Sequence, residues 1–176
     1  MLQSGTKLPS IALPATSSEV IDLASLPGLS LVAVYPWTGR PGLANPPNWD
    51  DIPGAHGSTP ELEGFRDLHA EFERRGVRLF GLSRQDTGYQ KEMVERLRLP
   101  FPILSDAGGA FASALDLPSF TTGEANYLKR LTLLIDAARI AHIFFTVRDP
   151  AGHARDVLDW LKVSAYSESS SASSTE

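Results

Sequence analysis

Apolar runs alternate along this chain with segments whose apolar residues recur at helical spacing. Residues 31–34, within the segment 29–35, are apolar without alternation, which is typical of a strand buried on both faces. Residues 60–75 carry apolar side chains three or four positions apart, and Gly76 ends this segment. The alternation predicts an α/β fold with a central mixed sheet flanked by helices.

The same patterns predict the remaining elements of one domain, residues 1–163. A short hairpin is expected from 11–13 and 20–23, and further strands are expected at 77–82, 101–104, 130–135 and 141–147. Further helices are expected at 86–98, 109–115 and 150–162. Residues 164–176 are mostly serine, which buries too little apolar surface to fold, so we expect a disordered tail.

Composition limits the class of protein. The chain has 176 residues, 42% of them apolar, which suffices for one core, and its net charge of −5 argues against nucleic acid as a partner. No apolar run is long enough to span a membrane and the first residues do not resemble a leader, so we expect a cytoplasmic protein. Cysteine is absent, so neither a disulfide nor a thiolate metal site is expected, and no cofactor is indicated.

The most informative segment is the glycine-rich stretch 54–61, which leads into a predicted helix. Ser58 and Thr59 are both good N-cap residues, Pro60 suits the first helical turn, and Ser58 with Glu61 forms a capping-box pattern. The first-turn amide N–H groups and the helix dipole make this junction electropositive. A cysteine at position 58 would therefore have its pKa lowered toward the reactive thiolate.

Further motifs follow one another in a specific order over most of the chain. They are Gly5-x-x-Leu8-Pro9, Val34-Tyr35-Pro36, Gly57-Ser58-Thr59-x-Glu61, Phe65-Arg66-Asp67, Gly81-Leu82-Ser83, Pro100-Phe101-Pro102-Ile103 and Lys129-Arg130-x-Thr132. Together they resemble the peroxiredoxins of the PrxQ or bacterioferritin-comigratory-protein branch, with Ser58 at the position of the peroxidatic cysteine. The resemblance implies a thioredoxin-like fold and thiol-dependent reduction of hydrogen peroxide and organic hydroperoxides.

The resemblance also implies roles for single residues. Arg130 takes the place of an arginine that donates to thiolate and peroxide, and Glu61 that of a glutamate that orients this arginine. The N–H groups of Gly57 and Ser58 would address the peroxide, and Pro36 would shield the sulfur from water. The plainer alternatives are a strand-edge charge for Arg130, a capping box alone for Glu61 and a strand-ending proline for Pro36.

One expected hydroxyl group is missing from the site. The family has threonine or serine three residues before the cysteine, whereas this chain has Ala55. Either Thr38 or Thr59 is a candidate to supply the hydroxyl. Pro36 stands 22 positions before Ser58, and a loop rich in proline, glycine and tryptophan fills the gap. This loop is either a lid that shapes access to the site or a purely structural cover.

Serine at position 58 removes the redox step, because a hydroxyl is far less acidic than a thiol and does not form a sulfenic acid. The serine is either an engineered replacement of cysteine or natural to an inactive relative. The family's resolving cysteine is also missing, since Glu63 stands at one of its usual positions and residues 86–98 contain none. If only position 58 was changed, the parent is a one-cysteine enzyme that needs thioredoxin or another thiol reductant. If several positions were changed, serines 83, 105 or 113 are further candidates.

Other classes of function fit the sequence less well. A Gly-x-Ser-x-Gly nucleophile elbow is not present around Ser58, and the four histidines lack metal-ligand spacing, so neither a serine hydrolase nor a metal site is expected. The main rival is a non-catalytic thioredoxin-fold protein that binds a partner through exposed aromatic residues of the loop between Trp37 and Trp49. We expect a monomer or a weak homodimer.

Overall fold

The structure is a computed structural model and describes residues 2–164. The predicted serine-rich tail, apart from Ser164, lies outside the described residues. Nine strands and four α-helices are found within that range. The strands are β1 (Ala12–Pro14), β2 (Val20–Asp22), β3 (Leu29–Val34), β4 (Val77–Ser83), β5 (Ile103–Ser105), β6 (Ser119–Thr122), β7 (Ala125–Leu128), β8 (Leu131–Asp136) and β9 (Arg139–Phe144). The helices are α1 (Ser58–Arg74), α2 (Thr87–Leu97), α3 (Ala110–Leu115) and α4 (Pro150–Val163).

Five of the strands form one mixed sheet in the order β5-β4-β3-β8-β9. The pairs β5–β4 and β4–β3 are parallel, whereas β8 runs antiparallel to both β3 and β9. The central strand β3 is buried from residue 30 to residue 34, as its apolar run predicted. The predicted mixed sheet flanked by helices is therefore confirmed.

Both faces of the sheet are covered, and side chains of β3 alternate between them. Leu31 and Ala33 pack into the core that includes apolar residues of α1, α2 and α4. Val32 and Val34 pack on the opposite side, against the β1–β2 hairpin and α3. This double burial explains why β3 has no polar face and why the site, at its carboxyl end, lies on a rigid support.

The structure differs from the predicted elements where contacts between distant parts of the chain determine whether a strand or helix forms and where it begins and ends. The hairpin β6–β7 was not predicted, although Gly123-Glu124 between two four-residue runs is a recognisable hairpin signal. Strand β9 lies at Arg139–Phe144 rather than 141–147, and β8 begins at Leu131, so that Arg130 directly precedes it. Helix α1 begins at Ser58 rather than at residue 60.

The start of α1 lies against the start of α4 at a close backbone approach. Gly57 has φ of 110°, and a Cβ added there would lie 2.7 Å from Pro150 Cγ. Seven residues further along the chain, a Cβ on Gly64 would lie 3.2 Å from the carbonyl oxygen of Ala151. Small residues on α1 therefore let the two helices meet and fix the position of the first turn.

Replacing Gly57 should show how tightly this junction is constrained. Gly57→Ala is expected to unfold more easily than Gly54→Ala by roughly 1–3 kcal/mol, because both require left-handed backbone but only the former meets Pro150. Gly54 has φ of 80° with nothing within 4 Å of an added Cβ, which makes it the matched control. Urea unfolding of both variants measures the difference, and equal losses would contradict a steric constraint at the helix junction.

Candidate active site

Helix α1 starts without the predicted capping box. Gly57 is the N-cap residue, and no side chain accepts a hydrogen bond there. The backbone N–H of Glu61 donates to Gly57 O at 3.0 Å. The Ser58-x-x-Glu61 capping prediction is wrong, because both side chains are turned into the protein, where Ser58 is 3% and Glu61 0% exposed. Neither side chain therefore caps the helix, and both lie in the protein interior.

Ser58 is one of the residues that line a cavity of about 170 Å³. Its Oγ is buried and has no hydrogen-bond partner among the described residues. The cavity is lined by Trp37, Gly39, Asn45, Trp49, Ala55, His56, Gly57, Ser58, Thr59 and Pro60. A buried hydroxyl without a partner is costly, which makes this atom a candidate for a functional role.

Arg130 holds the segment that precedes Ser58. Its Nη2 donates to three successive backbone carbonyl oxygens, those of Gly54, Ala55 and His56, at 3.3, 3.1 and 3.1 Å. The side chain is 3% exposed, and its Nε and Nη1 have no hydrogen-bond partner within residues 2–164. The guanidinium therefore orders the turn before the helix while part of its donor capacity stays open.

Glu61 forms a buried ion pair with Arg130. Glu61 Oε1 lies 3.5 Å from Arg130 Nη1, too long and poorly aligned for a directed hydrogen bond. Burial raises the pKa of Glu61 to about 7, and the charge of Arg130 offsets only part of that rise. Burial likewise lowers the pKa of Arg130, which stays cationic at neutral pH. The structure therefore brings the two predicted site residues together.

His153 extends this buried polar group and was not singled out from the sequence. Its Nε2 lies 2.8 Å from Thr132 Oγ1, and its ring packs edge-on against Phe65. Burial, assisted by the positive charge of Arg130, lowers the pKa of His153 to about 4. The imidazole is thus neutral near pH 7. A lone histidine without metal spacing carries no local signal for such a position.

Thr38 does not supply the missing hydroxyl. Its Oγ1 donates to Gln85 Oε1 at 3.2 Å, and its carbonyl oxygen accepts from Gln85 Nε2 and the Tyr89 hydroxyl. Thr59 lines the cavity, whereas Thr38 does not. Pro36 is buried two residues after the end of β3 and is also not part of the cavity lining. Of the two candidates for the hydroxyl, the structure places only Thr59 beside Ser58.

The inserted loop, residues 37–57, contacts two other elements of the fold. On one side, Trp49 contacts Phe120 and Tyr127 of the β6–β7 hairpin, with ring centroids 5.7 and 5.2 Å apart. On the other, Arg40 lies over the Tyr89 ring of α2 at 4.3 Å. Arg40 Nε also pairs with Glu92 at 3.1 Å.

The large cavity of this protein lies away from these residues. Among the described residues, a cavity of about 830 Å³ is lined by residues that include the first half of β4, the Pro100-Phe101-Pro102 segment, His69 and Glu73. It contains none of the predicted site residues. Size alone therefore does not locate the chemistry, and the small cavity with an unpartnered hydroxyl is the better candidate.

Comparison with known proteins agrees with the fold and with the order of the motifs. A family model described as Redoxin matches residues 3–158. Peroxiredoxin Bcp of Escherichia coli is 27% identical over 166 residues, which cover 92% of this chain and 96% of that protein. Chloroplastic peroxiredoxin Q of Oryza sativa subsp. japonica is 30% identical over 132 residues, 74% of this chain and 58% of the relative. The crystal structure of a cysteine-to-serine mutant of Xylella fastidiosa PrxQ superposes with a TM-score of 0.75 at 24% identity, covering 92% of this chain and 96% of that one.

The chain therefore belongs to the redoxin family, in its PrxQ/Bcp-like peroxiredoxin branch. Proteins of this branch are thiol-dependent peroxidases, and the predicted thioredoxin-like fold is confirmed. The sequence contains no cysteine, so the chain corresponds to an inactive serine form of this scaffold. Within residues 2–164, no helix combines the length and apolar character needed to cross a membrane.

Replacing Glu61 by glutamine should change the pH dependence of stability. The folded-state pKa of Glu61 is raised from 4.5 to about 7, so its contribution makes stability fall as pH rises between these values. The pKa of His153 is lowered from 6.5 to about 4, so its contribution is lost as pH falls through that window and opposes the first. Glu61→Gln removes only the first contribution. As pH rises from 5 to 7, its free energy of unfolding should therefore rise by roughly 2–3 kcal/mol relative to that of the unchanged chain.

Urea unfolding at half-unit pH steps measures this difference. Glu95→Gln, on the exposed side of α2, controls for the loss of one negative charge. A difference between Glu61→Gln and wild type that does not change with pH would contradict a raised pKa at Glu61.

Proposed function

We propose that Ser58 occupies the peroxidatic position and that the site binds a peroxide group without turning it over. The observation that carries the proposal is the buried, unpartnered Ser58 Oγ at the first turn of α1, beside a small cavity. The N–H groups of Gly57 and Ser58 lie at the electropositive end of a 17-residue helix and are suited to a peroxide oxygen.

Arg130 and Glu61 serve this site as positioning residues. Arg130 holds the carbonyl groups of residues 54–56 and so fixes the turn that presents Ser58. Glu61, at 3.5 Å, holds the guanidinium from the other side. Pro36 shields the reacting atom at position 58 from water, and Thr59 replaces the hydroxyl that Ala55 lacks.

With cysteine at position 58, the same geometry supports peroxide reduction. The thiolate attacks one peroxide oxygen, an S–O bond forms as the O–O bond breaks, and the leaving alkoxide or hydroxide takes up a proton. The resulting sulfenic acid is reduced by an external dithiol, which becomes a disulfide and releases water. The chain offers no resolving cysteine, so thioredoxin or another thiol reductant acts directly on position 58.

The proposed setting is that of a cytoplasmic protein, monomeric or weakly dimeric, with hydrogen peroxide and organic hydroperoxides as ligands. The proposal includes no nucleic-acid partner, because the net charge of −5 disfavours binding to a polyanion.

The rival function, partner binding through exposed aromatic residues of the loop, has less support. It requires Trp37 and Trp49 at the surface, whereas Trp49 is 4% exposed and packed on the β6–β7 hairpin. Trp37 is half-buried and contacts Trp49 with ring centroids 5.5 Å apart. Leu43 is the large apolar side chain that this loop exposes, and one such residue is ordinary for a protein surface.

The decisive experiment compares hydrogen peroxide reduction by Ser58→Cys and by the unchanged chain, with dithiothreitol or thioredoxin as reductant. Turnover is expected only in Ser58→Cys, because the thiolate is the nucleophile. Adding Arg130→Lys to Ser58→Cys should lower kcat/KM by about 10- to 100-fold, since a lysine keeps the charge but not the fork of donors. Ser113→Cys is the matched control, because it introduces one exposed thiol on α3, outside the cavity. Equal rates for Ser58→Cys and Ser113→Cys would contradict the assignment of position 58.

A further inference from the structure

Strand β4 has a free edge along its first half. Its pairing with β5 covers residues 81–83, and the N–H of Gly81 donates to the carbonyl oxygen of Pro102 at 3.2 Å. The N–H and C=O groups of successive residues point to opposite edges of a strand, so those of Val77 and Leu79 point to the same edge as those of Gly81. Within residues 2–164, these groups of Val77 and Leu79 have no hydrogen-bond partner.

A proline explains why β5 begins too late to cover this edge. The parallel register pairs Gly81 with Ile103. Extended by two residues, it would need the N–H of residue 102 as donor to the carbonyl oxygen of Leu79, and Pro102 has no N–H. A second proline, Pro100, stands two residues earlier. The free edge is therefore built into the sequence.

The free edge lines the larger cavity, of about 830 Å³. Helix α1 and the β1–β2 hairpin pack on opposite faces of the sheet, and residues of both line the cavity. The end of α1 contributes Glu73, and the hairpin contributes Glu19 and Ile21. The side chains of Val77 and Leu79 belong to the core under α1, so it is their backbone that faces the cavity. We call this site the edge groove.

The charges of the edge groove favour a basic ligand. Glu19 is exposed and has no ion pair within the described residues. Glu73 is also exposed, and its Oε1 lies 3.6 Å from His69 Nε2. The guanidinium in the lining, that of Arg78, already donates to the carbonyl oxygen of Pro27 at 2.5 Å. The two carboxylates therefore outnumber the guanidinium, and the whole chain carries a net charge of −5.

From these features we infer that the edge groove binds an extended peptide segment of another protein, which adds a strand to the free edge of β4. The peptide backbone pairs with the N–H and C=O groups of Val77 and Leu79. A segment of four residues spans 77–80, roughly 13 Å. This site does not depend on the residue at position 58 or on the proposed function.

The two sides of the groove define the chemistry of the peptide. Successive side chains of a strand point to opposite faces, so two neighbouring lysine or arginine residues would face the α1 side and the hairpin side, one each. Glu73 and Glu19 meet these cations, and an apolar residue at either end of the pair contacts Pro100 or Ile21. The groove thus recognises the pattern apolar-basic-basic-apolar.

Other occupants match these charges less well. Residues 165–176 of the chain itself contain two glutamates and no lysine or arginine. A second copy would bring its own Glu19 and Glu73 to the same edge, so that like charges meet. A basic segment of a different protein is therefore the occupant that the groove favours.

Amide hydrogen exchange of the unchanged chain, measured by nuclear magnetic resonance, tests the inference. In the free chain, the N–H groups of Val77 and Leu79 should exchange at least tenfold faster than those of Arg78 and Phe80, which face β3. Saturating acetyl-Val-Lys-Lys-Val-amide should slow the exchange of Val77 and Leu79 at least tenfold. Acetyl-Val-Glu-Glu-Val-amide is the control peptide. No added protection, or equal protection by both peptides, would overturn the inference.

Two variants test the charge of the groove without touching the core. Glu19→Gln combined with Glu73→Gln should weaken binding of the basic peptide about three- to tenfold, because two exposed ion pairs are lost. Glu71→Gln combined with Glu95→Gln is the matched control, since it removes two carboxylates outside the groove lining. Equal weakening by both pairs of substitutions would indicate a general effect of net charge and overturn the inference.

The exchange rates of the free chain also test for other occupants. Protection of Val77 and Leu79 that increases with protein concentration would assign the edge to a second copy, and protection independent of concentration would assign it to the chain itself. Either result overturns the inference. Peroxide turnover by Ser58→Cys should not change with the peptide, because the groove lies at the amino end of β4 and the candidate active site at the carboxyl end of the parallel strand β3.

Discussion

The buried guanidinium of Arg130 is the constraint on which the site depends. One nitrogen holds the carbonyl oxygens of Gly54, Ala55 and His56, which would otherwise have to be satisfied by water at the end of an irregular loop. With that segment fixed, the chain enters α1 through the left-handed backbone of Gly57, where the ring of Pro150 leaves no room for a Cβ. The depth of Ser58 follows from these two contacts.

The same guanidinium sets the electrostatics around the helix start. Glu61 faces it across 3.5 Å, and His153 lies within its field while bonded to Thr132. Burial raises the pKa of the Glu61 carboxyl and lowers the pKa of the His153 imidazole, so both groups favour their neutral forms. Their contributions to the pH dependence of stability therefore have opposite signs between about pH 4 and 7. Near neutral pH His153 is therefore uncharged, whereas Glu61, with a pKa of about 7, changes charge beside the buried cation of Arg130.

The loop between Pro36 and Ser58 connects the candidate site with two distant parts of the fold. Trp49 packs on the β6–β7 hairpin, while Arg40 pairs with Glu92 and the carbonyl oxygen of Thr38 accepts from the Tyr89 hydroxyl, both on α2. At the position where the family has a reactive thiol, the chain has the buried hydroxyl of Ser58, beside a cavity that Trp37 and Trp49 also line.

By itself, the sequence determined the family, the mixed sheet and the placement of Ser58 at a helix start, because apolar periodicity and motif order are local properties of the chain. The resemblance also implied Arg130 and Glu61 as site residues, with Glu61 orienting the arginine, beside the plainer alternatives of a strand-edge charge and a capping box. Tertiary structure decided that Glu61 turns inward to Arg130, that Thr38 is engaged by Gln85, and that Trp49 is held by a hairpin about 70 residues further along. Those outcomes depend on which buried polar and aromatic groups find partners far away in the chain, and no local pattern encodes such pairings.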